Sequence, residues 1–202
     1  MSEHTLSSFG IHVLTPKHPQ IRKLKKMLGA GQLHGTKVWD ASFVMMDFFN
    51  IDPLPADQKI LDIGCGWGPL SFYLQKKQGA KVISVDADGS VQPYLNLHAQ
   101  FNDTQALFWQ AEISKLKVKD LQMADIVVGC DICFWDSLRD DWKKLLKRAN
   151  KATVKTLYLC DPGRSPFLDL VEWADKRFDT QLWEHAITEP VMSEHYILQV
   201  NF

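Results

Sequence analysis

The stretch Ile60-Leu61-Asp62-Ile63-Gly64-Cys65-Gly66-Trp67-Gly68 limits what this chain can fold into more than any other. It reads as a short buried strand, then a glycine-dense turn, then a helix opening at Pro69, whose ring suits a first helical turn. Three alternating glycines leave no side chain between the backbone and whatever docks on it. An acid, Asp86, closes the next apolar run, Lys81-Val82-Ile83-Ser84-Val85, at the spacing of one βαβ unit. The combination predicts an α/β chain with a nucleotide-type site at the carboxyl edge of its sheet.

The pattern continues regularly to the end. Strands are expected at 59–63, 81–85, 106–111, 124–129, 155–160, 180–187 and 194–201, and helices at 69–78, 89–101, 137–149 and 166–177. No helix separates the last two apolar runs, so they should form an antiparallel hairpin at the edge of a mixed, seven-stranded sheet with helices on both faces. Asp136 is the expected cap of the helix carrying Leu138, Trp142, Leu145, Leu146 and Ala149 as its buried stripe. Ser165 followed by Pro166 is the expected start of the next.

Ahead of this alternation, Asp52-Pro53-Leu54-Pro55 separates an N-terminal helical lobe, residues 1–52, from a Rossmann-like core, residues 53–202, the two read together as a single domain. The lobe should hold a short extended piece at 9–14 and a helix from Pro19 to Gly29. That helix sets Ile21, Leu24, Met27 and Leu28 against Arg22, Lys23, Lys25 and Lys26, followed by a loop through Gly31 and Gly35. The lysine cluster is a solvated helix face or a contact surface for an acidic partner. A second helix runs from Ala41 to about Phe49, with Asp40 as its cap and Trp39 placed to staple onto Val44.

A net charge of −1 argues against a dedicated nucleic-acid binder, and no apolar run approaches a membrane span. The start of the chain lacks a charged-then-apolar export signal, and the four cysteines have no disulfide-type framework, so a reduced, cytoplasmic protein is expected. Cys65, Cys130, Cys133 and Cys160 all fall at or just past carboxyl ends of neighbouring strands. They read as small buried hydrophobes rather than a metal site, with oxidation of Cys130 or Cys133 as a route to inhibition.

Which nucleotide the turn takes follows from its neighbours. A dinucleotide fingerprint wants a third glycine at 69, where Pro69 stands, and a P-loop wants Lys-Ser/Thr where the chain has Pro69-Leu70. Asp62 would sit badly beside a pyrophosphate and suits a cationic ligand. A ribose for Asp86 and a positive tail near Asp62 describe S-adenosyl-L-methionine (SAM).

The run Leu61-Asp62-Ile63-Gly64-Cys65-Gly66-Trp67-Gly68, with Asp86 and the terminal hairpin, resembles the class I, seven-strand SAM-dependent methyltransferases over about residues 36–202. The resemblance implies that Asp62, Gly64, Cys65, Gly66 and Gly68 hold the methionyl end, that Asp86 and Ala87 meet the ribose, and that Glu112 sits near the adenine. Glu112 as an ordinary surface acid, and Trp39 as a staple rather than a cofactor contact, stay open. In this topology the loop 129–136 lies beside the reacting methyl, so Asp131, which also faces the cofactor, Phe134 and Trp135 are the candidate catalytic residues.

Asp131-Ile132-Cys133-Phe134 resembles the Asp-x-x-Tyr/Phe motif of a branch that methylates protein lysines, and lacks both prolines of the enzymes acting on base amines or glutamine amides. Asp161-Pro162-Gly163-Arg164 and the run Gly35 to Asp40 are similar to segments of that branch, with Asp136 and Arg164 as candidate substrate contacts. The expected activity is methyl transfer from SAM to a nitrogen, foremost a protein lysine. A small-molecule acceptor and a non-catalytic SAM-binding subunit are the alternatives; a nucleic-acid partner and a membrane are not expected.

Overall fold

The computed structural model describes residues 3–28 and 38–202; Gly29, read above as the end of a helix, and Gly31 and Gly35, read as loop, lie outside them. The chain opens with two strands, β1 (Thr5–Ser8) and β2 (Ile11–Leu14), joined by a two-residue turn with Phe9 and Gly10 both at positive φ. Those are the dihedrals of a type I′ hairpin turn. The expected N-terminal lobe was all helical apart from a short extended piece. The hairpin departs from it because Phe-Gly carries none of the usual Asn-Gly or Asp-Gly signal.

Helix α1 (Pro19–Leu28) follows, then α2 (Ala41–Ile51). The core continues through β3 (Lys59–Ile63), α3 (Pro69–Gln78), β4 (Lys81–Asp86), a 3-10 turn at Gly89–Val91, α4 (Gln92–Phe101), β5 (Phe108–Gln110), the short α5 (Val118–Leu121), β6 (Ile126–Cys130), α6 (Asp136–Ala152), β7 (Thr156–Asp161), α7 (Ser165–Asp175), β8 (Asp179–Ile187) and β9 (Ser193–Asn201). The seven core strands form one sheet in the order β5-β4-β3-β6-β7-β9-β8, parallel except for β9, which pairs antiparallel with both β7 and β8. This is the Rossmann-like class I arrangement with its antiparallel C-terminal hairpin.

Strand alternation assigns the core. On one face, Ile60, Val82, Ile126, Val128 and Ile197 pack against α2, α3 and α4. On the other, Leu61, Ile63, Val85, Val127 and Leu157 pack against α6 and α7, where Trp142 and Phe167 are fully buried. The N-terminal hairpin closes the first face through α4. His98 Nε2 accepts the Leu14 N–H at 3.0 Å, while Asn102 accepts from His12 N and donates to His12 O. No helix among the described residues is long and apolar enough to cross a membrane.

Two expected helix caps are displaced by one residue, and a third stands in place without a cap bond. Asp40 stands at the N-cap position of α2 but has helical dihedrals and makes no side-chain cap bond, and Val38 packs on the core cluster that contains Val44. Asp136 and Ser165 are the first residues of α6 and α7 rather than their caps; Trp135 and Arg164 precede them in extended conformation. For α6 and α7 other side-chain bonds mark the helix start. Asp136 is drawn to Arg139 (2.9 Å), and Asp161 takes over the turn before α7.

Candidate functional site

The strand order reverses direction between β3 and β6, and ligands of open α/β sheets bind in the crevice beyond the carboxyl ends at such a point. A cavity of about 250 Å³ lies there. Trp39, Gly64, Gly66, Asp86, Ala87, Glu112, Asp131, Phe134 and Trp135, all read from the sequence, line it.

The turn after β3 is held by the next strand. Gly64 N and Cys65 N both donate to Val85 O, and Gly66 N donates to Asp86 Oδ2 at 3.0 Å. Asp88 N donates to the other oxygen, Oδ1. Burial pushes the Asp86 carboxyl up, and the Asp88 and Gly66 N–H groups pull it back. The three glycines of the turn all have positive φ but serve different ends. A Cβ on Gly66 would meet no protein atom within 4 Å, so the space above that peptide is open for a ligand. A Cβ on Gly64 would strike Ile132 Cγ2 at 2.5 Å, and one on Gly68 would strike Leu95 Cδ1 at 2.2 Å and Phe72 Cζ at 2.8 Å. Gly68 thus lets the turn pack on α3 and α4.

Asp62 is under the turn rather than in the cavity. Period-two alternation puts it on the same face as its register partner Ser84, where Ser71 Oγ of α3 donates to Asp62 Oδ2 at 2.6 Å and lies 2.7 Å from Ser84 Oγ. Desolvation raises its carboxyl to about 7, with Ser71 opposing and Asp86 adding to the rise. Cys65 likewise turns away from the cavity, its thiol directed at Gly66 O.

The loop after β6 is fixed at three points. Asp131, at positive φ (59°), donates its N–H to Cys160 O and pairs through Oδ1 with Arg164. The Trp142 indole N–H donates to Ile132 O at 3.0 Å. Arg164 also reaches Asp161 Oδ2 at 2.9 Å, and Asp161 Oδ1 accepts from Gly163 N and Arg164 N. Asp161 is fully buried, which raises its carboxyl against the pull of those donors. Arg164, read as a substrate contact, is therefore engaged by two carboxylates of its own chain and does not line the cavity; Asp136, 77% exposed, does not either. Phe134 and Trp135 meet edge to face at 4.6 Å, with Trp135 half exposed at the mouth.

Sequence reading missed the apolar wall Ile63, Ala111, Ile113, Ile132 and Leu138, and the acid Asp141. The signal for Asp141 was available: it lies three positions after Leu138, on the same helical face. His195 was missed outright. It is buried on β9, where Asp131 and Asp40 act to raise it while desolvation, the larger effect, lowers it.

The four cysteines do not converge. Cys130 and Cys160 are register neighbours on one face of the sheet and Cys133 packs on the other. Burial raises every one of these thiols, Cys133 to about 12, so none is a reactive thiolate. No metal-ligating group of three or more His, Cys, Asp or Glu exists among the described residues.

Among the described residues the cavity wall carries Asp86, Glu112, Asp131 and Asp141 and no Lys, Arg or His. That charge, the open space over Gly66 and the anchored Asp86 fit a cationic nucleoside such as SAM.

Residues 60–155 match the family model of a methyltransferase domain. No curated protein matches the chain by sequence. Among solved structures, TrmK of M. capricolum in complex with S-adenosyl-homocysteine is 15% identical, with a TM-score of 0.58 over 78% of this chain and 67% of that one. The precorrin-6y C5,15-methyltransferase of Geobacter metallireducens GS-15 is 12% identical, with a TM-score of 0.62 over 85% and 92%. A human methyltransferase 10 domain containing protein is 10% identical, with a TM-score of 0.60 over 90% and 93%. None of the three is named for a lysine acceptor. The methyltransferase-domain match spans the glycine turn, Asp86 and Asp131, and the seven-stranded sheet with its antiparallel hairpin shares the class I methyltransferase fold of these structures; together they support SAM-dependent methyl transfer as the activity of this site.

Proposed function

We propose that the methyl acceptor is an amine nitrogen, and specifically the side chain of a protein lysine. One observation carries this reading: the mouth of the cavity joins an oriented acid, Asp131, to three aromatic side chains, Trp39, Phe134 and Trp135, with no basic residue among the described lining. Acids and aromatic faces attract an ammonium and hold its stem, whereas a phosphate-bearing acceptor would be repelled.

Gly64, Gly66, Asp86, Ala87 and Glu112 would hold SAM, with Trp39 against it and Asp62 acting from beneath the turn. When bound, it supplies an electrophilic methyl on a sulfonium. The acceptor must arrive with a free lone pair, so one ammonium proton would pass first to solvent at the open mouth, helped by the neighbouring positive charge. Attack by its nitrogen would form the new N–C bond as the C–S bond breaks, the bonding pair going to the leaving sulfur. Asp131 accepts a hydrogen bond from the amine and points the lone pair along the line of displacement. Arg164 and the Cys160 carbonyl hold Asp131 still while it does so.

Incubation with tritiated SAM and a proteome extract tests the reading. Label that resists nuclease, is lost to protease and maps to lysine supports it. Label in a nuclease-sensitive fraction, or in metabolites such as the precorrin-type acceptor of the Geobacter neighbour, overturns it.

A further inference from the structure

The first 39 residues hold six of the chain's 23 cations and one of its 24 acids, so this segment is net positive by five and the remainder net negative by six. From His4 to Trp39 there is no acid at all. Structure turns this bias into a surface. Arg22, Lys23 and Lys26 stand exposed on α1, and none forms a side-chain ion pair among the described residues. The second lysine-rich face, on α6, is different: Lys143 lies 3.9 Å from Asp140, Lys144 is 3.2 Å from Asp141, and Arg148 binds the Ile113 and Ser114 carbonyls.

On the Lys23 side of α1 a groove of about 800 Å³ runs between α1 and α4. Leu24, Met27, Leu97 and Phe101 form its apolar part, with Met27 71% and Phe101 40% exposed, and Lys23 stands on its rim. Its floor connects to the cofactor turn: Ile21 of α1 packs with Trp67, the residue after Gly66, and with Tyr94 of α4. Ten residues of α1 give a groove wall of about 15 Å, the span of roughly three helical turns.

Resting on the lysine reading above, we propose that this groove docks an acidic amphipathic helical segment of the methyl-acceptor protein. Apolar side chains at i, i+3, i+4 and i+7 would fill the α1–α4 groove, and glutamates or aspartates beside them would face Lys23 on the rim and Lys26 next to it. Met27 supplies an adaptable contact for such anchors. The charge division separates two tasks, with an acidic mouth for the lysine and a basic neighbour for the acids around it.

Binding rather than methylation tests this, so its failure is distinguishable from failure of the lysine assignment. The probe is an 18-residue fluorescent helix with one leucine face and one glutamate face, titrated with the full chain and read by anisotropy. Charge reversal by Lys23→Glu and Lys26→Glu together should weaken the probe at least tenfold. Phe101→Ala should weaken it severalfold, and SAM affinity of both variants, read by calorimetry, should stay within twofold. No binding of this probe, binding untouched by charge reversal, or tighter binding of a single-stranded RNA of equal length would overturn the proposal.

Discussion

The backbone N–H of Gly66 donates to the carboxylate of Asp86 at 3.0 Å, joining the two ends of one βαβ unit into a single cradle. The glycine turn and the acid twenty positions later are therefore one structural object, and a change at either is felt by the other.

Gly66 and Gly68 should separate binding from stability. Gly66→Val places its side chain in the open space above the turn, and we expect SAM affinity to fall at least 100-fold with a penalty to folding of about 1–2 kcal/mol from positive φ. Gly68→Ala adds to the same φ penalty about 1–3 kcal/mol of overpacking against Leu95 and Phe72. Calorimetric SAM titration beside thermal melts reads both, and equal effects of the two variants would count against the division.

Arg164 holds two buried acids, so Arg164→Leu should destabilise the fold by about 3–5 kcal/mol, with Arg164→Lys recovering part of it. Asp131→Asn keeps the shape of the loop and should lower kcat tenfold or more while leaving SAM affinity within about threefold. A parallel loss of both would make Asp131 a cofactor contact instead.

Asp62 gives the protein without cofactor a specific pH response. Its folded carboxyl is raised to about 7 from an ordinary value of 3.8, so the folded state holds this proton over a range where the unfolded chain has released it. The contribution is full below pH 4 and is lost as pH rises to about 7, a change on the order of a few kcal/mol. Asp62→Asn lacks this component, so the stability of the variant relative to wild type should climb between pH 4 and pH 7 in denaturant titrations. A flat difference would place the titration elsewhere.

His98 works in the opposite direction. Burial lowers it, and its Nε2 must stay unprotonated to accept the Leu14 N–H, with Nδ1 facing Tyr94 O. Its contribution is present above the ordinary histidine value of 6.5 and is lost as pH falls through the lowered folded value. Hydrogen exchange at Leu14, corrected for intrinsic rate, should accelerate on acidification before exchange in β3 or β6 does. Simultaneous loss would show that the hairpin does not open by itself.

The buried thiols should be silent. In the native protein none of the four cysteines should react with a thiol reagent on the timescale in which denaturant exposes all four, and the Cys130→Ser, Cys133→Ser double variant should share wild-type peroxide sensitivity. Rapid native labelling of Cys133 would reverse this reading.

What the sequence by itself determined is local and periodic. Alternation placed Leu61 and Ile63 on one face and Ile60 on the other, Pro69 opened α3 at the expected residue, and the missing helix between β8 and β9 announced the antiparallel hairpin. The glycines and Asp86 sit within one βαβ unit, so their meeting was legible from spacing. The N-terminal hairpin was not legible, because what selects it is His98 and Asn102, more than eighty residues away. Tertiary structure alone decided that Asp62 turns beneath the cradle to Ser71, that Gly68 serves packing, and that Arg164 is bound to Asp131 and Asp161. A side chain's type and spacing say what it can bond; which partner it meets depends on strands brought together from distant parts of the chain, and that information is in the fold.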